Sequence, residues 1–181
     1  MEERIDNIQE FQGTPASKII RQNAIALSAI FIIILVVTHF FQEQLLDASR
    51  YFWIGFMLIM FVFIIFTQNQ VKEKSNGGII SFGDAFMTGF KVSLWVAIIY
   101  AIFNLIFYIL IFPNAHEDML RLAEQSMREQ ALPEDQIEMG LKVTRWMVSP
   151  LGIFISTMVI YPIMGAINSL IAAAFTQRAK R

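Results

Sequence analysis

Residues Lys72 to Lys91 read KEKSNGGIISFGDAFMTGFK, and they decide how the rest of the chain is laid out. The stretch joins two apolar blocks and holds, in order, a basic run, an Asn-Gly-Gly turn, a Ser-initiated helix start and small residues at fixed spacing. Ahead of it, residues 51 to 71 carry no charge, and behind it neither do residues 92 to 115. Two more uncharged runs, 23 to 41 and 146 to 177, complete the pattern. Each reaches or approaches the roughly 20 residues that a helix needs to cross about 30 Å of hydrocarbon. The chain therefore reads as an all-α integral membrane protein with four transmembrane helices and an amphipathic extramembrane helical segment between spans three and four.

Composition agrees with this. Hydrophobic residues make up 56% of the 181 positions, above the share a soluble domain of this size carries. The first block is longer than a signal-peptide core, and FFQEQ stands where a small-residue cleavage site is required, so it is read as a retained anchor. The sequence has no cysteine, which excludes disulfides, thiolate nucleophiles and Cys-ligated metals. A net charge of −1 leaves no basic domain to neutralise phosphates, so no nucleic-acid partner is expected.

We read one membrane domain over residues 1–181, with spans at about 19–41, 51–68, 82–112 and 146–176, a cytoplasmic loop at 69–81 and an extracytoplasmic helical segment at 113–145. The acidic start (Glu2, Glu3, Asp6, Glu10) is a solvated tail, and Thr14 followed by Pro15 fits a helix N-cap with proline in the first helical position. The short QEQLLDAS connection makes spans one and two antiparallel neighbours. Tyr51, Phe52 and Trp53 sit where an interfacial aromatic belt belongs. Lys18, Arg21, Lys72, Lys74, Arg178, Lys180 and Arg181 gather on one side if the N-terminus is inside, which favours two cytoplasmic termini. Lys142 and Arg145, close to span four on the other side, run against that bias.

In span three, Ser81 is expected to cap the helix while Asp84 reaches back in a short variant of the capping box. Phe82 to Phe112 would extend roughly 46 Å, longer than the hydrocarbon, so the first turns belong among the headgroups and Lys91 can snorkel there. Ala85, Gly89, Ser93, Ala97 and Ala101 recur at every fourth position, and Gly165, Ser169 and Ala173 form a counterpart in span four. Small side chains let membrane helices approach closely, so spans three and four are expected to pack together or to self-associate. Pro150 suits the start of the fourth helix at the interface, and Pro162, in mid-span, is expected to kink that helix or free a carbonyl. In the segment between them, Glu117–Arg121, Glu124–Arg128 and Glu138–Lys142 are i,i+4 pairs on two short amphipathic helices.

Polar residues inside spans are functional candidates by default. Tyr100, Asn104 and Tyr108 form a stripe on span three, Asn168 on span four is placed to pair with it, and His39 stands at the outer end of span one. Inter-helix hydrogen bonding accounts for the first four and wetting at the interface for the histidine. No carboxylate lies deep in a span, two histidines cannot build a three-ligand metal site, and phosphate-loop and G-x-S-x-G motifs are missing. No cofactor, metal or catalytic residue is assigned, and the loop motif Asn76, Gly77, Gly78, Ser81 and Asp84 has a structural reading throughout.

NGGIISFGDAFMTGF (76–90) and LPEDQIEMG (132–140) resemble an uncharacterised family of small four-span membrane proteins from Bacteroidota, a domain of unknown function. The similarity runs from about Lys18 to the end of the chain. It implies the same four-span architecture and an inner-membrane location, and it brings no activity with it. The expected role is interaction or assembly with a protein partner or a second copy; the alternative is a small oligomeric channel or transporter built around spans three and four.

Overall fold

The computed structural model describes residues 14–41 and 46–178, with backbone alone for 46–50. The acidic tail, the QEQL connection, the Arg50 side chain, Lys180 and Arg181 lie outside the described residues. Six α-helices follow in order: α1 Ala16–Phe40, α2 Leu46–Lys74, α3 Phe82–Ile106, α4 Ala115–Glu129, α5 Glu134–Met147 and α6 Pro150–Thr176. A π-helical segment, Phe107–Ile111, continues α3. Four helices are long and apolar enough to cross a membrane: Ala16–Phe40, Tyr51–Lys74, Phe82–Ile111 and Pro150–Thr176. Among the described residues there is no strand, so the all-α reading holds.

Helix ends depart from the sequence reading in instructive ways. The N-cap of α1 is Pro15, with no side-chain cap, and its carbonyl accepts from the Lys18 amide at 2.9 Å. Thr14 thus sits one residue too early to cap. Helix α2 runs on through Lys74, six residues beyond the expected end, because nothing in NQVKEK breaks a helix. The first residues that do so are Gly77 and Gly78, at φ +61° and +87°, values that glycine tolerates without a Cβ penalty. The loop shrinks to 75–81. The fourth span likewise begins at Pro150 instead of 146: Ser149 Oγ accepts the Gly152 amide at 3.0 Å, and proline occupies the first helical position, where it has no amide to leave unpaired. Helix α6 then runs unbroken through Pro162.

At the start of α3, Ser81 Oγ accepts the Asp84 amide at 3.1 Å. The reciprocal arm differs from the expected one, since the Asp84 carboxylate accepts from the Ser81 hydroxyl at 2.7 Å. Aspartate is one methylene shorter than the usual glutamate, and it settles for the nearer donor. At the other end, the Phe112 amide donates to Phe107 O at 2.8 Å, the widened turn that defines the π segment.

The chain divides into two compact units, residues 1–96 with 162–181 and residues 97–161. In the first, Ile20, Ala24, Leu27 and Phe31 bury one face of α1, and the Phe31 ring meets Phe56 edge-on at 4.8 Å. Ile25, Ile33, Val37 and Phe40 on other faces are exposed, as suits a span in lipid. The second unit holds the buried Tyr100, Ala101, Asn104, Phe107 and Tyr108 of the third span, together with α4 and α5.

Candidate functional site

The densest polar arrangement in the first unit is centred on Gln68, whose side chain is fully buried. Helix α2 places it between the start of α3 and the end of α6. Gln68 Nε2 donates to Ala85 O at 2.9 Å, with longer approaches to Ser169 Oγ at 3.4 Å and Ser169 O at 3.5 Å. Its Oε1 accepts at 2.7 Å from the Thr176 hydroxyl, whose Oγ1 also lies 3.0 Å from Ala172 O as an alternative acceptor. Ser169 Oγ in turn donates to Phe86 O at 2.6 Å. One amide side chain therefore ties three helices together, largely through carbonyl lone pairs that the helical ladder leaves free.

Small residues make this approach possible. A Cβ at Gly89 would fall on Ser169 Oγ and lie 2.6 Å from Ile64 Cγ2; a Cβ at Gly165 would fall on the Ser93 side chain. Ala85, Ser93, Ser169 and Ala173 have no accessible surface. Gly89 with Ser169, and Ser93 with Gly165, are thus facing pairs along the α3–α6 contact. Ala97 and Ala101, further along α3, are buried in the second unit. Beyond the helix ends, Ile80 and Arg178 exchange backbone hydrogen bonds of 3.2 and 2.9 Å, fastening the Asn76–Gly78 loop to the chain that leaves α6.

The other sequence-derived candidates are placed as follows. Asn168 Nδ2 donates to Met57 O at 3.2 Å, so it joins α6 to α2 instead of pairing with the tyrosine stripe. Asn104 Nδ2 donates to Tyr100 O one turn back, at 2.9 Å. Tyr100 is hydrogen-bonded to Tyr161 of α6, their rings 5.2 Å apart. Tyr108 lies in the π segment with its ring edge-on to Phe107. His39 occupies the last turn of α1 against Phe40. Sequence reading missed Gln68, Thr176 and Tyr161; the signal available was a glutamine inside an uncharged run, at the last position assigned to span two.

Outside the spans, α4 and α5 form a helical hairpin. Arg128 bridges Glu124 Oε1 at 2.9 Å on its own helix and Glu134 Oε1 at 3.1 Å on the next. These carboxylates, Glu134 foremost, push its pKa further above the ordinary arginine value. Arg121 takes Asp118 at 3.1 Å rather than Glu117. Gly140 lets α5 close on the Met127 thioether, and Ala131 makes the turn at φ +52°.

Among the described residues, no three His, Cys, Asp or Glu side chains are grouped to hold a metal. The Gln68 cluster contains no group that titrates near neutrality and offers hydrogen bonds only. A family model for a protein of unknown function, DUF4199, matches residues 22–178. The chain belongs to the DUF4199 family. No curated protein and no solved structure matches it. Family membership and four membrane-crossing helices together make it a multi-pass integral membrane protein of unknown activity.

Proposed function

We propose that this DUF4199 protein is a non-enzymatic interaction or assembly protein of the inner (cytoplasmic) membrane of a bacterium of the Bacteroidota, with both termini in the cytoplasm. The observation that carries the reading is the completeness of internal polar pairing. Among the described residues, no buried side-chain nitrogen or oxygen lacks a hydrogen-bond partner. A permeation path needs polar groups that face a moving ion or solute, whereas Gln68, Ser169, Thr176 and Asn168 are engaged with neighbouring helices. What remains for recognition lies outside the spans, chiefly the charged α4 surface carrying Glu117, Asp118, Arg121 and Gln125. The channel reading draws on the same small-residue faces of α3 and α6, and these lie against each other within one chain.

Crosslinking and co-purification from native membranes test the proposal. The expected result is a partner or a second copy whose recovery falls when charges on α4 are reversed; a chain recovered alone at every crosslinker length sinks it. Flux through liposomes of the purified protein would favour a channel. Because the chain has no cysteine, Ser75→Cys and Ser126→Cys give a direct topology test with an impermeant thiol reagent. Labelling is expected from outside at position 126 only.

A further inference from the structure

Helix α5 has two apolar faces, and the hairpin uses only one. Ile137 is buried and Leu141 and Thr144 are partly covered on the side turned toward α4. On the opposite side, Met139, Val143, Trp146 and Met147 are 71%, 55%, 56% and 49% exposed. At about 100° per residue these four span an arc of about 100°, so they form a continuous stripe. Lys142, exposed, borders one edge of it, and Arg145, also exposed, lies further round on the same flank.

We propose that this stripe lies in the bilayer interface, making α5 a membrane-surface helix that anchors the hairpin to the lipid. Three observations commit it to lipid. The stripe ends at Trp146 and Met147, and the crossing helix α6 starts at Pro150, so Trp146 stands only four residues along the chain from a segment that enters the hydrocarbon. Tryptophan favours that depth, with its ring in the acyl boundary and its N–H among headgroups. Lys142 on the rim and Arg145 on the same flank complement lipid phosphates, and the lysine's aliphatic stem extends the apolar surface. The face that could have taken a protein helix already holds α4, through Met127 against Gly140 and Arg128 against Glu134. The carboxylate-rich surface of α4 then remains in water.

Nitroxide labels at Met139→Cys and Val143→Cys, with Ser126→Cys on α4 as reference, in vesicles of phosphatidylcholine and phosphatidylglycerol, measure this directly. The expected result is preferential collision with oxygen at 139 and 143, at a depth of roughly 5–10 Å below the phosphates. The reference label should collide mainly with a water-soluble nickel chelate. Equal chelate access at all three positions overturns the proposal, and so does shielding of 139 and 143 from both reagents, which means a second copy or another protein covers the stripe. Should either α5 variant fail to fold, the W53F/W95F double variant leaves α5 unchanged and Trp146 as its sole tryptophan. Its emission should be blue-shifted and quenched by lipids brominated near the headgroup; quenching by iodide in its place overturns the proposal.

Discussion

The α3–α6 contact and the α4–α5 hairpin are both antiparallel helix pairs, yet they are held together by opposite choices of residue. Along residues 89–93 of α3 and 165–169 of α6, the contact is Gly89 on Ser169 and Ser93 on Gly165, small residues on both sides and no charge. Where α4 meets α5, a guanidinium clamps two carboxylates and apolar side chains face inward around Ile137. The difference follows from the solvent. Lipid offers no hydrophobic drive for helices to associate, so close backbone approach and hydrogen bonds to carbonyls take over. In water, burying one amphipathic face suffices, and surface ion pairs add a smaller increment.

The largest effect is expected where the membrane contact leaves no space. Gly165→Leu places carbon atoms on the Ser93 side chain and cannot be accommodated without separating α3 from α6, at a cost of about 3 kcal/mol. Gly55→Leu, at a position with open space around it, should change stability by less than about 0.5 kcal/mol. Steric-trapping or denaturant unfolding in bicelles reads both. Equal effects of the two substitutions would mean that helix propensity, and not packing, governs these glycines.

Next in size comes Gln68→Leu, which keeps the volume and removes the ties to Ala85, Ser169 and Thr176. Hydrogen bonds inside membranes contribute modestly because the unfolded helices also find partners, so the expected loss is about 1–2 kcal/mol. A double-mutant cycle with Thr176→Val should return a coupling near 0.6 kcal/mol or somewhat more. Zero coupling would show that the Thr176 hydroxyl serves Ala172 O alone.

Much of this contact was legible in the sequence, and the reasons are physical. Four charge-free runs forced the helical spans, and the four-residue recurrence from Ala85 to Ala101 marked a face before any partner was known. Gln68 was not legible, because an uncharged amide three residues from the end of an apolar run reads as interfacial until helix α2 is seen to continue to Lys74. The Ile80–Arg178 pairing left no trace either, since it is made by backbone groups that every residue carries. Pro150 is readable as the start of the fourth helix, and α6 does begin there; the Ser149 cap is not, and the uncharged run sets the edge of the span at Trp146, four residues earlier. The same mistake hid the exposed stripe of α5 by assigning its last two members to the span.

A smaller effect, of the opposite sign, is expected in the hairpin turn. Ala131 holds φ +52° while its amide donates to Arg128 O at 2.9 Å. A Cβ is unfavourable in that left-handed conformation, and glycine removes the penalty while adding unfolded-state entropy. Ala131→Gly should therefore stabilise the hairpin by about 0.5–1 kcal/mol, raising amide-exchange protection in α4 and α5.

The smallest effect tests whether the hairpin is governed by water. Arg128 is solvent-exposed, and its links to Glu124 and Glu134 compete with hydration and with the entropy of three long side chains. Arg128→Gln should lower the thermal midpoint of the hairpin slightly at low ionic strength, and the difference should vanish near 1 M salt, where the screening length falls to about 3 Å. The Gly165→Leu defect, which is steric, should persist at that salt. A loss in Arg128→Gln that survived high salt would mean that the clamp acts by positioning α5 on α4. The two contacts would then differ in the residues that meet and not in whether geometry or burial holds them.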